Sequence, residues 1–234
     1  MRVSDLLGSV LAVAHRSKVT FERAYGVADV ETGEPLTPRH RFRVASHSKT
    51  FTSAGIMKLR DQRRLRLDDP VGLYVPGLRE DVAGVTVGQL LAHSGGLIRD
   101  GVDAGHWLER RPFLDAAGLD AELAGPPVFP PNERFKYLNI GFGLLGRIIG
   151  RIVGEPYDSW IAREIVAAAG LDEAAPDMTS KGALLSRGHG LKMPLGRRPM
   201  FDGEAPTHAL APAIGFVSTA ADLARDFGQL SLGA

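Results

Sequence analysis

The sequence predicts an α+β fold, with an antiparallel pair of strands at the N-terminus followed by a mostly helical chain. Residues 19–26 (VTFERAYG) alternate apolar and polar after a short polar turn, the period of a half-buried strand. From residue 46 onward, several segments of good helix formers carry start and stop residues of the Ser, Thr, Asp and Gly type. A length of 234 residues, 44% apolar and 24% charged, is that of an ordinary globular chain able to bury a large core.

The elements follow in order. Residues 1–15 (MRVSDLLGSVLAVAH) superficially imitate a signal peptide, with Arg2, an apolar stretch and Ala12-Val13-Ala14. Asp5 interrupts the stretch and the candidate is short, so Ser9–His15 reads instead as a buried strand, turned by Arg16-Ser17-Lys18 into its partner. After a loop containing residues 31–38 (ETGEPLTP), a helix is expected from Ser46 to about Gln62, with Phe51, Ala54, Ile56 and Met57 as core candidates. Thr86 reads as the N-cap of a short helix stopped by Gly95-Gly96. Residues 97–130 read as irregular. Leu145, Ile148, Ile149 and Ile152 mark one apolar helix face, and residues 157–170 form another helix, with Asp158 near its start and Gly170 at its stop. Residues 171–213 read as loop, and a last helix begins where Thr219 and Asp222 spell a capping box. No repeat or linker divides the chain, so one domain over residues 1–234 is expected, its helical subregion at about 63–213.

Composition removes several function classes. A net charge of +1 gives no electrostatic reason to bind nucleic acid or an anionic membrane. Without cysteine there is no disulfide, thiolate zinc site or thiol nucleophile, which suits a reducing compartment and makes a cytoplasmic location the expectation. No apolar run approaches the roughly 18 residues of a membrane-spanning helix. No His, Asp and Glu cluster has ligand spacing, so neither a metal nor another cofactor is expected.

Two motifs carry chemistry. A serine hydroxyl is a poor nucleophile until a base stands beside it. In residues 42–53 (FRVASHSKTFTS), Ser46 and Lys49 lie one helical turn apart on one face, where the positive end of a helix favours an alkoxide and a neutral lysine. The alternative is that Ser46 is an N-cap and Lys49 a solvated first-turn residue, with Ser48 a competing cap. In residues 135–154 (FKYLNIGFGLLGRIIGRIVG), Tyr137 and Asn139 are two apart in an extended lead-in and project to the same side. A phenol beside a cation can shuttle protons, and an amide can hold a lysine or a substrate. The alternative is that Asn139 caps the helix, Tyr137 packs in the core, and glycines 141, 143, 146 and 150 serve close helix packing.

These segments, with residues 65–78 (LRLDDPVGLYVPGL), 85–97 (VTVGQLLAHSGGL) and 215–230 (GFVSTAADLARDFGQL), resemble in their order the serine β-lactamase and penicillin-binding-protein superfamily. The nearest branch is that of class C β-lactamases, family VIII carboxylesterases and D-amino-acid-specific peptidases. Ser46-x-x-Lys49 and Tyr137-x-Asn139 each occur once in the chain. The resemblance implies a β-lactamase/transpeptidase-like fold, an antiparallel sheet flanked by helices plus a mostly helical region. It implies that Ser46 is acylated, Lys49 accepts or relays its proton, Tyr137 serves the leaving group and the deacylating water, and Asn139 orients Lys49 or substrate. The Ser46 N–H would be half of an oxyanion hole. The implied substrates are small esters, amides or β-lactams. His93 falls in a segment read as structural. The family's third motif, a Lys-Thr-Gly or His-x-Gly variant on a late strand, has no counterpart after Tyr137, because residues 187–190 (RGHG) sit too early and in loop. The resemblance therefore implies strands beyond Ala234, an incomplete sheet, and an unpaired edge through which copies can associate. It also keeps open a non-catalytic relative with a binding role or none.

Overall fold

The computed structural model describes residues 6–108, 111–177, 184–190, 200–201 and 204–230. Strands β1 (Gly8–His15) and β2 (Lys18–Gly26) form an antiparallel hairpin, its register shifting between Val13 and Ala14. Arg16 and Ser17 make the turn with φ of +49° and +61°, the left-handed geometry that matches the twist of a tight hairpin. β3 (Phe42–Arg43) leads into helix α1 (Ser48–Asp61), followed by the short helices α2 (Glu80–Ala83) and α3 (Val87–Leu91). Next come α4 (Ala116–Leu123), α5 (Asn139–Val153) and α6 (Tyr157–Ile161). β4 (Gly188–His189) and β5 (Met200–Phe201) pair antiparallel, and the described chain closes with β6 (Val217–Ser218) and α7 (Ala220–Leu230).

Helix α5 is the hub. Ile140, Leu144, Leu145, Ile148 and Ile149 are fully buried, and α5 packs against α1, α3, α4, α6 and the wide helical turn Ala211–Gly215. Its glycines permit close approach of the C-terminal turns: a Cβ at Gly146 would lie 2.2 Å from Pro212 Cγ of that turn, and one at Gly143 would lie 2.7 Å from the Ala209 carbonyl oxygen in the turn before it, His208–Leu210. Gly154 ends α5 in the left-handed conformation, as Gly170 ends the helical run after α6. The Thr86 cap of α3 is a full capping box with Gln89.

Several local expectations change. β1 is only half-buried, because the hairpin lays one face on α7 while Leu11, Val13, Phe21 and Tyr25 share the solvent face. Met57 is on the exposed side of α1. α3 stops at Leu91, before Gly95-Gly96, and the stretch read as irregular contains α4, capped by Asp115. The stretch read as loop ends in helical turns over His208–Gly215, and Gly188–His189 of RGHG is a strand, since its partner lies at Met200–Phe201. Thr219 accepts from the Asp222 N–H as a cap does, but the Asp222 carboxylate turns away to the Glu173 N–H and Arg225. No helix among the described residues is long and apolar enough to cross a membrane.

Candidate active site

Ser46 lies in a tight 3-10 turn, Ala45–His47, that runs directly into α1, so the α-helix proper starts two residues later than the sequence suggests. Ala45 is held at φ +46°, a conformation costly for any residue with a Cβ and sustained only by its surroundings. The surroundings here are specific. Fully buried Ser48 donates its hydroxyl to the Ala45 carbonyl at 2.5 Å and accepts the Phe216 N–H at 3.0 Å. The Val44 N–H donates to the Phe216 carbonyl at 3.0 Å, extending the pairing of β3 with β6. Ser48 is therefore not a helix cap; its side chain ties the turn to the C-terminal segment.

Ser46 itself is exposed, and the Tyr137 hydroxyl donates to its Oγ at 2.6 Å. Lys49 is buried rather than solvated. Its Nζ donates to Asn139 Oδ1 at 2.7 Å and to the Ala213 carbonyl at 2.8 Å, and lies 4.7 Å from the centre of the Tyr137 ring. Leu138, extended at φ −123°, is the N-cap of α5. Tyr137 and Asn139 consequently face the same lysine, as the i, i+2 spacing suggests, and Asn139 does not act as the cap. The structure brings Ser46, Lys49, Tyr137 and Asn139 into one cluster.

The electrostatics follow from burial and neighbours. Burial pulls the Lys49 amine below the usual lysine range; Tyr137 and Asp100 oppose this and the Arg99 charge adds to it. Burial pushes the Tyr137 phenol upward, but the nearby Lys49 ammonium, the Ser46 hydroxyl and the Arg99 charge outweigh it, leaving the phenol below its ordinary value. Both groups therefore release a proton more readily than their free counterparts.

Two supporting residues, Asp100 and Ala213, were not singled out from sequence, and a third, His93, was read only as structural. Asp100, buried beside Arg99, accepts from Asn139 Nδ2 at 2.5 Å, so both ends of that amide are engaged. Ala213 supplies only its backbone oxygen. His93, at φ +56°, stacks on Tyr137 with ring centres 4.5 Å apart, and its Nδ1 accepts the Leu138 N–H at 3.0 Å. Burial, then the Lys49 charge, holds His93 below its usual range, which suits an acceptor nitrogen.

Known proteins share this arrangement of segments. A match to the Beta-lactamase family spans residues 2–233. The chain is 28% identical over 158 residues to Protein flp of Staphylococcus aureus, covering 66% of this chain and 32% of that protein. It is 28% identical over 171 residues to Esterase EstB of Burkholderia gladioli, covering 67% and 43%. The octameric penicillin-binding protein homologue from Pyrococcus abyssi superposes with a TM-score of 0.78 at 27% identity, covering 95% of this chain and 51% of that one. The chain thus matches about a third to two-fifths of the length of these two curated relatives. With the fold, the motifs and a family match over nearly its whole length in agreement, the chain belongs to the beta-lactamase family.

Proposed function

We propose that the protein is a serine hydrolase that works through an acyl-enzyme on small esters or amides, β-lactams included. The observation that carries this reading is the 2.6 Å contact between the Tyr137 hydroxyl and Ser46 Oγ, backed by a buried Lys49. With the proton reversed along that contact, Ser46 Oγ gives its proton to the phenolate as its oxygen bonds the substrate carbonyl carbon. Tyr137 passes the proton to the leaving oxygen or nitrogen as the scissile bond breaks. Lys49 keeps the phenol acidic by its charge and can exchange the proton with it. Asn139, held by Asp100, positions Lys49, and the Ser46 N–H is one oxyanion donor. Water then repeats the sequence against the acyl-serine. EstB, an esterase, and the penicillin-binding homologue support this chemistry by likeness. A cytoplasmic location accords with the cysteine-free sequence. Association of copies through an unpaired sheet edge accords with the octameric homologue.

The test is labelling with a fluorophosphonate and a fluorescent penicillin, read by intact mass, together with nitrophenyl acetate turnover. One adduct per chain, lost with nearly all turnover in Ser46→Ala, is the expected result. A Ser46→Ala protein that keeps its rate rejects the assignment, and a wild-type protein that takes no label belongs with non-catalytic relatives.

A further inference from the structure

Beside the cluster lies a cavity of about 420 Å³, within the range of small-molecule sites. Its walls adjoin the site in chain order. Ala45 precedes Ser46, Ile214 follows the residue whose carbonyl holds Lys49, and His106 feels the charge of Asp100, the partner of Asn139. Phe42, Trp107, Phe113 and Ile214 make the lining largely apolar. Trp107 is 40% exposed, so the cavity reaches solvent at that ring.

His106 stands apart in this wall. It is 1% exposed, and neither ring nitrogen has a hydrogen-bond partner among the described residues. Other polar groups of the wall are engaged: Arg43 with Asp177 and the Ala205 carbonyl, Thr207 with Asp177, and Arg187 with Asp29 and Glu31. The rings of Trp107 and Phe113, at 5.3 and 4.8 Å, fix the imidazole plane. Burial holds the ring below its usual range, with Asp100 and Asp103 opposing and Arg111 adding, so it is neutral with one N–H to give. A buried donor without an acceptor is costly, and a site of this kind is satisfied by its ligand.

We infer that the cavity takes the acyl-side group of the substrate, that this group is apolar with one carbonyl or hydroxyl oxygen, and that His106 reads that oxygen. The choice of the acyl side rests on the proposed Ser46 chemistry; the oxygen-reading cavity stands without it. The reason for selectivity is asymmetric: an oxygen pairs with the imidazole N–H, whereas a methyl group of the same shape leaves it buried and unpaired.

Two measurements separate the claims. The first uses Ser46→Ala protein and follows the Trp107 indole N–H signal by NMR while titrating acetophenone or cumene, which differ by an oxygen against a methyl group. Acetophenone should bind about tenfold or more tightly than cumene, and His106→Phe and His106→Leu should each erase that margin in whichever variant melts like wild type. Equal binding of both probes, binding of neither, or a margin that survives the His106 substitutions overturns the cavity assignment. The second compares kcat/KM of wild type on nitrophenyl 4-oxopentanoate and 4-methylpentanoate. A preference for the oxo ester that disappears in His106→Phe supports the acyl-side placement, and no preference overturns it. Absence of any Ser46-dependent turnover instead rejects the hydrolase reading, and with it the acyl-side placement, while the NMR result still decides the cavity.

Discussion

Asn139 divides its amide between two buried partners: Oδ1 accepts from Lys49 Nζ at 2.7 Å and Nδ2 donates to Asp100. The ammonium is thereby fixed against the Tyr137 ring, and the charge of a third residue is felt at the lysine without touching it. Asn139→Ala should leave a buried ammonium short of one acceptor and Asp100 short of one donor. Turnover should fall at least tenfold, and Asn139→Asp, which sets a second carboxylate against Asp100, should also lose stability. Thermal melts alongside nitrophenyl acetate kinetics separate the two effects.

Lys49 should tolerate no other cation. Lys49→Arg keeps the charge but cannot deprotonate, so its loss of kcat/KM should approach that of Lys49→Ala. Because burial lowers the lysine and the lysine charge lowers the phenol, activity should rise with pH along a limb whose apparent pKa belongs to the pair and lies below the ordinary values of both. In Tyr137→Phe that limb should move as well as shrink. A pH–rate profile of kcat/KM checks this, and a fully active Lys49→Arg enzyme would make Lys49 only a charge partner.

Ser48→Ala should be damaging although Ser48 touches no substrate. It removes the acceptor of the buried Phe216 N–H and the donor to Ala45, so a cost of about 1–3 kcal/mol in stability is expected. The left-handed Ala45 loses its clamp, so kcat should fall while KM for a small ester changes little. Denaturant melts and steady-state kinetics read the two parts.

Gly146→Ala tests the contact behind Lys49. The added methyl would meet Pro212 at 2.2 Å, and Pro212 belongs to the turn whose Ala213 carbonyl holds the lysine. Overpacking of this kind costs roughly 1–3 kcal/mol. Displacement of the turn should also lower kcat, whereas alanine at Gly154, where no atom lies within 4 Å, should show only the strain of its left-handed φ.

Asp158 provides a pH test away from the cluster. Burial, aided by Asp177, raises its carboxyl to about 6, above the value in an unfolded chain. Between that unfolded value and about 6 the folded state binds more protons, so this group makes stability fall as pH rises through that window. Its place in the first turn of α6 offsets part of the effect by roughly 0.3–1 kcal/mol. Asp158→Asn should melt above wild type at pH 7, with the gap closing toward pH 4; a gap independent of pH would refute the assignment.

The sequence by itself determined what local rules reach. The N-terminal hairpin follows from alternation, the α3 start from Thr86 as N-cap, and the buried α5 face from apolar spacing. The two motifs were legible because i, i+3 in a helix and i, i+2 in an extended lead-in fix which side chains share a side. Only the tertiary structure decided the rest. Lys49 meets Ala213 across 164 residues and Ser48 meets Phe216 across 168, and a backbone carbonyl or N–H has no residue-type signal to read. Burial of Lys49, exposure of Leu11 and Val13, and the strand at Gly188–His189 likewise depend on what packs against them. Periodicity tells which residues share a face, but whether that face meets protein or water is set by the rest of the chain.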